Sequence, residues 1–236
     1  MIELNADIGE GCDDAALMPY VARVSIACGG HTGDAASMRA ALELAAAHGV
    51  AAGAHPGYPD RAGFGRHAMA ARPEQIVVWV AEQTEALAEE AARLGVRLAH
   101  VKPHGALYNV AAVDADVAAA IVQAVTAVDA GLVLVGLAGS RLIVAGRAAG
   151  LAVLNEGFAD RRYDVAGRLV SRETPGAVLT DPAAAAGQAG RLAQRRPLPA
   201  LPAGEVLIEA DTVCLHGDTP GAIHIARAVH AALNPG

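Results

Sequence analysis

The sequence predicts a single-domain α/β fold spanning residues 1–236, a β/α barrel of about seven parallel strands with helices outside. Three observations carry that prediction. Short runs rich in Val, Ile and Leu alternate with alanine-rich stretches of helical period, and no break in composition divides the chain. The helical stretches carry start and stop signals. Ionisable residues recur at the C-terminal ends of nearly all the short runs, as they do around the mouth of a barrel; in an open sheet only the strands at the switch in strand order contribute.

Strands are expected at 2–7, 24–28, 50–55, 97–104, 132–137, 151–155 and 206–216, the last interrupted near Ala210. Asp34 is placed to cap a helix that turns Met38, Leu42 and Ala45 to one side and stops at Gly49. Pro73 fits a first helical turn ahead of Ile76, Val80, Leu87 and Leu94. Asp114 caps a stretch presenting Val117, Ile121, Val125 and Val128, and Ser140 opens a helix that ends at Gly150. Asp181-Pro182 and Thr219-Pro220 repeat a cap-then-proline pattern before the last two helices. Strands joined through helices are parallel, with right-handed crossovers.

Composition excludes several classes. A net charge of -7 without a Lys/Arg cluster argues against nucleic-acid or membrane-surface partners. No apolar run approaches the ~20 residues of a membrane span. The first residues enter a strand pattern with no basic or apolar leader, so the expected compartment is the cytoplasm. Three cysteines, Cys12, Cys28 and Cys214, without paired spacing fit neither a disulfide framework nor a thiolate zinc site. With aromatics at 3%, aliphatic side chains must fill the core.

The strand ends hold the chemistry. The first ends in Asn5-Ala6-Asp7-Ile8-Gly9-Glu10, with Asn5 and Asp7 on one face by the two-residue period. The second leads into Cys28-Gly29-Gly30-His31, the third into His55-Pro56-Gly57 and the fourth into Lys102-Pro103-His104-Gly105. Asn155-Glu156 and His216-Gly217-Asp218 follow the sixth and seventh; the fifth, Val135-Gly136-Leu137, has no ionisable group. Any one of these reads equally as a hydrogen-bonded turn residue, and Lys102 as the partner of a nearby acid. Their recurrence points to an active site. Asp7, Glu10, His55 and His104 are candidate acids or bases, and Lys102 a group to stabilise an oxyanion or hold a phosphate or carboxylate. Asp7, His31 and His55 are a candidate divalent-metal set by ligand type, though no HExxH spacing supports it. Cys28 reads better as a buried thiol than as a nucleophile, and His100 as a filler of the barrel interior. Two long loops, 56–66 and 157–172, carry arginines and tyrosines suited to a small anionic ligand; residues 163–170 can also form a hairpin.

Six motifs in order make the chain recognisable. They are Leu4-Asn5-Ala6-Asp7-Ile8-Gly9-Glu10-Gly11, the run from Ile26 to Asp34, Gly53-Ala54-His55-Pro56-Gly57-Tyr58-Pro59-Asp60 with Gly63-Phe64-Gly65-Arg66, and Val101-Lys102-Pro103-His104-Gly105-Ala106-Leu107-Tyr108-Asn109. Glu156-Gly157-Phe158-Ala159-Asp160-Arg161 and Val213-Cys214-Leu215-His216-Gly217-Asp218 complete the set. Together they resemble the LamB/YcsF family of 5-oxoprolinase A subunits. The resemblance implies a seven-stranded barrel of the glycoside hydrolase/deacetylase type and ATP-dependent opening of 5-oxoproline (pyroglutamate) to glutamate. It implies partner subunits B and C, and ATP with Mg as its counterion. No GxxxxGK[ST] loop is present, so ATP is expected on other elements or on a partner. Within the motifs, Asn5, His31, Tyr58, Arg66, Tyr108, Asn109, Glu156, Arg161, His216 and Asp218 are the candidate substrate contacts.

The chain departs from the family pattern in a short segment at Cys12-Asp13-Asp14, in Ser25 where asparagine is common, and in Gly30 where phenylalanine is frequent. Two alternatives remain: a metal-dependent deacetylase or amidase on the same barrel, and a non-catalytic substrate-binding subunit. Substituting Asp7, His55, Lys102 or His104 is expected to preserve folding and lower turnover at least ~100-fold.

Overall fold

In the computed structural model, which describes residues 2–234, seven parallel strands close into a barrel. The strands are β1 (Glu3–Ile8), β2 (Arg23–Ala27), β3 (Ala51–His55), β4 (His100–Val101), β5 (Val133–Leu137), β6 (Val153–Phe158), β7 (Leu198–Pro199), β8 (Glu205–Val206) and β9 (Thr212–Leu215). All but the β7–β8 hairpin belong to the barrel, and β9 closes it by pairing with both β6 and β1. The helices are α1 (Asp14–Leu17), α2 (Ala35–His48), α3 (Pro73–Arg93), α4 (Gly105–Ala111), α5 (Ala115–Asp129), α6 (Arg141–Ala148), α7 (Pro182–Ala193) and α8 (Ala222–Leu233).

The caps follow from the side chains. Asp34 accepts from Ser37 N at 2.9 Å, and Gly49 ends α2 at φ 65, where a β-carbon would be strained. Asp114, Ser140 and Asp181 cap α5, α6 and α7 in the same way. Among the described residues no single helix is long and apolar enough to cross a membrane.

Three expectations are corrected. The ladder expected over 97–104 is confined to His100–Val101, because Pro103 has no N–H; Lys102 N and His104 N still reach Ala54 O and Pro56 O at 2.9 and 2.8 Å. The sixth strand runs on to Phe158, so Glu156 stands on the strand itself; Gly157 permits this, since a β-carbon there would sit 3.0 Å from that of Ala210. The run at 206–216 is interrupted near Ala210 as expected: Val206 pairs back with Leu198, and the strand resumes at Thr212 after Asp211 accepts from Asn155 N and Nδ2 at 2.9 and 2.7 Å. Thr219 does not cap the last helix. Gly221 does, at φ 77, while the Thr219 hydroxyl donates to Asp160 at 2.9 Å. Helix α4, immediately after His104, was not expected from the sequence.

Alternation along β1 sends Leu4, Ala6 and Ile8 into the apolar core and leaves Asn5 and Asp7 to polar contacts across the barrel. Deeper in, Arg23 pairs with Glu3 at 2.7 Å and donates to His100 Nδ1 at 3.2 Å, while His100 Nε2 meets Ser25 Oγ at 3.1 Å. Burial, then the Arg23 charge, holds His100 well below the usual histidine range, so it is a neutral filler. Gly53 makes room for its ring, which a β-carbon would overlap. Ser25, a departure from the family pattern, is thus the histidine's partner.

Candidate active site

A cavity of about 750 Å³ opens at the C-terminal ends of the strands. Asp7, Glu10, His55, Arg66, Lys102, His104, Tyr108, Asn109, Arg161 and His216 all line it. The fold brings them together because each follows, or nearly follows, the end of a parallel strand whose neighbours run in register.

At its floor lies a buried ionic knot. Lys102, 2% exposed, places Nζ 2.8 Å from Asp7 Oδ1 and 2.8 Å from Glu156 Oε1, with Asn5 Oδ1 and Cys214 Sγ each at 3.2 Å. Hydrogen bonds to Glu156, Asn5 and Cys214 use all three N–H bonds of the ammonium, and Asp7 is held by charge as an ion pair. Burial opposes its charge, but Asp7, Cys214 and Glu156 outweigh it and raise its pKa well above the ordinary value. Tyr108 donates to the other Glu156 oxygen at 2.8 Å. With its donors committed, Lys102 orders Asp7 and Glu156 rather than offering a free ammonium to a substrate.

Above the knot three imidazoles meet Glu10. His55 Nδ1 donates to Lys102 O at 2.7 Å, and His104 Nε2 donates to Phe64 O at 2.9 Å. Carbonyls only accept, so these contacts fix which nitrogen carries the hydrogen on each ring. The remaining nitrogens, His55 Nε2 and His104 Nδ1, face each other at 3.0 Å. Asp7 Oδ2 lies 3.3 Å from the first, and Glu10 Oε1 lies 3.2 Å from the second. One proton belongs in this gap. Burial opposes a charge on His55, but Asp7 and Glu10 raise its pKa; burial lowers that of His104. The proton therefore sits on His55 Nε2, and His104 Nδ1 keeps its lone pair. Burial works to raise the carboxyls as well, yet the histidines hold Glu10 far down, and His55 with Lys102 holds Asp7 well below the usual range. His31 donates Nε2–H to Glu10 at 2.9 Å and stacks on His104, and burial brings its pKa down to about 4.

A second histidine is oriented by a carboxylate that the sequence reading passed over. Asp160, fully buried, accepts from His216 N at 3.1 Å, His216 Nδ1 at 3.0 Å and Thr219 Oγ1. Burial is offset by His216, and Asp160 stays below the usual carboxylate range. The only sequence signal was its place beside Arg161 in the motif after β6. Gln83 was also missed. It sits in α3 and bonds both sides of Gly57, N to Oε1 at 2.9 Å and O to Nε2 at 2.8 Å. Gly30 leaves it space, since a β-carbon there would come 2.7 Å from the Gln83 carboxamide carbon and from Gly57 O. Gln83 thus lies where the frequent phenylalanine side chain would begin.

Other expected contacts lie elsewhere. Tyr58 is buried edge-on against Trp79, outside the cavity lining. Asn5 bonds Thr212 and Lys102 beneath the floor. Asp218 bridges the two long loops, pairing with Arg66 and, at 3.4 Å, with Arg172. The loop after β6 does form the hairpin, with Tyr163 bridged to Leu169. Burial pushes the Cys28 thiol up to about 12, which fits a structural thiol.

The metal donors are rearranged. Asp7, His31 and His55 do not meet as a set: His31 bonds Glu10, while His55 faces Asp7. Donor atoms of Glu10, His31 and His104 lie within 4.8 Å of one another. The His31 and His104 rings, however, stack with centroids 3.5 Å apart and planes 4° from parallel. A bound ion lies in the plane of each imidazole that ligates it, and these two planes do not meet within ligating distance of the rings. That trio does not fit a resident metal as arranged.

The fold and the site define a parallel β/α barrel with an acid–base cluster at the C-terminal mouth of its strands. The chain belongs to the LamB/YcsF family, which it matches over residues 2–235. It is 47% identical to the 5-oxoprolinase A subunit of Geobacillus thermodenitrificans, over 98% of this chain and 93% of that one. Identity to the protein of the same name from Methylococcus capsulatus is 49%, over 98% and 92%. A crystal structure of a lactam utilization protein from Thermus thermophilus superposes with a TM-score of 0.91 at 44% identity, covering 98% of this chain and 95% of that one.

Proposed function

We propose that this chain is the A subunit of a cytoplasmic, ATP-dependent cyclic amide hydrolase that opens 5-oxoproline to glutamate together with partner subunits B and C. The family and the names of its relatives support the substrate class. The observation that carries the chemistry is the facing pair His55 Nε2 and His104 Nδ1, 3.0 Å apart beside Glu10 at the wall of the cavity.

A lactam resists attack by water because nitrogen donates into its carbonyl. ATP, with Mg²⁺ as its counterion, would supply the activation as a phosphoryl donor to the carbonyl oxygen, leaving as ADP. The residues here handle the proton. His104 Nδ1 takes one from the attacking water and returns it to the ring nitrogen as the carbon–nitrogen bond breaks, and the γ-glutamyl phosphate left behind gives glutamate and inorganic phosphate with a second water. Burial, and then the charge of His55 held by Asp7, keep the pKa of His104 low enough for it to serve as a base. His216, oriented by Asp160, presents a second imidazole to the same cavity.

The test is release of glutamate from 5-oxoproline by this chain alone and with B and C, each with and without ATP. Release only in the full mixture with ATP is expected. Release by the chain alone without ATP would instead establish the metal-dependent amidase alternative. Full activity of the complex carrying His104→Ala would leave a non-catalytic subunit.

A further inference from the structure

The loop after β6 sets a guanidinium in the cavity wall with no ion-pair partner among the described residues. Arg161 is 5% exposed and lines the cavity. Among the described residues it makes one side-chain hydrogen bond, Nη2 to Val170 O at 2.7 Å. Its Nε is buried and has no partner. The nearby acids are spent elsewhere: Asp160 on His216 and Thr219, Asp218 on Arg66 and Arg172. Burial, then the like charge of Arg172, draws its pKa down to about 10. A buried donor without an acceptor is costly, and a planar guanidinium with a bare edge matches the two oxygens of a carboxylate.

We propose that Arg161 is the carboxylate subsite of this cavity, taking the carboxylate of a small substrate on Nη1, which among the described residues makes no hydrogen bond and, unlike Nε, is not sealed from the cavity. Binding there turns the cyclic amide toward the Glu10–His104 wall. The naming of 5-oxoproline as that substrate rests on the function proposed above; the subsite does not. The charges nearby select the ligand. Asp160 and Asp218 both act on Arg161, and they disfavour a phosphate dianion relative to a carboxylate monoanion. Val170, Ser171 and Arg172 of the same loop line the cavity, so the bound anion would also brace the hairpin.

The full chain and its Arg161→Gln variant are titrated by NMR with 5-oxoproline, with 2-pyrrolidinone (the same ring without the carboxylate), with acetate and with inorganic phosphate. Glutamine can still donate to Val170 O, and thermal melts report on folding. The wild type is expected to bind 5-oxoproline ~10–100-fold tighter than 2-pyrrolidinone, the range for hydrogen bonds to a charged group. Arg161→Gln should erase that difference, weaken acetate alike and leave 2-pyrrolidinone unchanged. In the assembled complex KM for 5-oxoproline should rise more than kcat falls. Undiminished preference for 5-oxoproline in the variant overturns the proposal. So does a variant that loses only phosphate. If the wild-type complex turns over no 5-oxoproline while acetate binding still depends on Arg161, the functional reading fails and the subsite stands. If neither carboxylate depends on Arg161, the subsite fails whatever the complex hydrolyses.

Discussion

Replacing Lys102 by methionine keeps the length of the stem and removes the cation between Asp7 and Glu156. Both carboxylates lie 2.8 Å from Nζ and both are buried. Breaking a buried pair by deleting one partner costs about 3–5 kcal/mol, because the remaining charge is neither solvated nor paired. In a chain of this length that is a fall of about 6–20 °C in Tm. The pH dependence separates this from simple loss of packing. In the wild type the Asp7 carboxyl sits well below its ordinary range, since His55 and Lys102 outweigh burial. Its contribution is therefore present above the unfolded pKa of ~3.9 and is lost as pH falls through the folded value. Without Lys102 burial loses one of its opponents, the carboxyl moves up, and protonation then relieves the variant. The deficit in Tm should be larger at pH 7 than at pH 5. Urea midpoints at the two pH values check this independently. A variant within about 1 °C of wild type at pH 7, or a deficit equal at both pH values, would refute the ionic account. The expectation drawn from the sequence, that a Lys102 substitution preserves folding, meets the same measurement: the variant should fold, with a lowered Tm.

His31, with its pKa brought down to about 4, binds its proton more weakly in the fold than in the unfolded chain. Its contribution is present above pH ~6.5 and declines as pH falls toward 4, so His31→Gln should flatten stability across that window in a denaturation series. Turnover should follow a bell in pH: the acid limb, set by protonation of His104, lies below the ordinary histidine range, and the alkaline limb, set by loss of the His55 proton, lies above it. A profile with no alkaline limb from a histidine would remove His55 from the proton scheme. Gly53→Ala should destabilise by about 1–3 kcal/mol, since its methyl would overlap the His100 ring in a fully buried layer; unchanged calorimetric stability would show that the layer can repack. Elemental analysis of the purified protein should find no stoichiometric divalent ion dependent on Glu10 and His104. A full equivalent lost in Glu10→Gln would place a cation where a proton is drawn here.

Much of the molecule was written locally. Strand alternation, the caps at Asp34, Asp114, Ser140 and Asp181, and the punctuation by Gly49 and Pro73 act within a few residues, so the parallel barrel and most of its helices were legible in the sequence. The inventory of the mouth was legible too, because a polar residue at each strand end needs no knowledge of its neighbours. Pairing was not. Lys102 stands 95 residues from Asp7 and 54 from Glu156 along the chain, and only closure of the barrel decides that its charge is paired with those two acids. Asp160 becomes the orienter of His216, Arg161 is left without an ion-pair partner among the described residues, and Tyr58 turns away against Trp79 for the same reason. Hydrogen bonds and ion pairs act over a few ångströms. The distances at which they act are set by strand register and loop path, which are properties of the packed whole rather than of any segment.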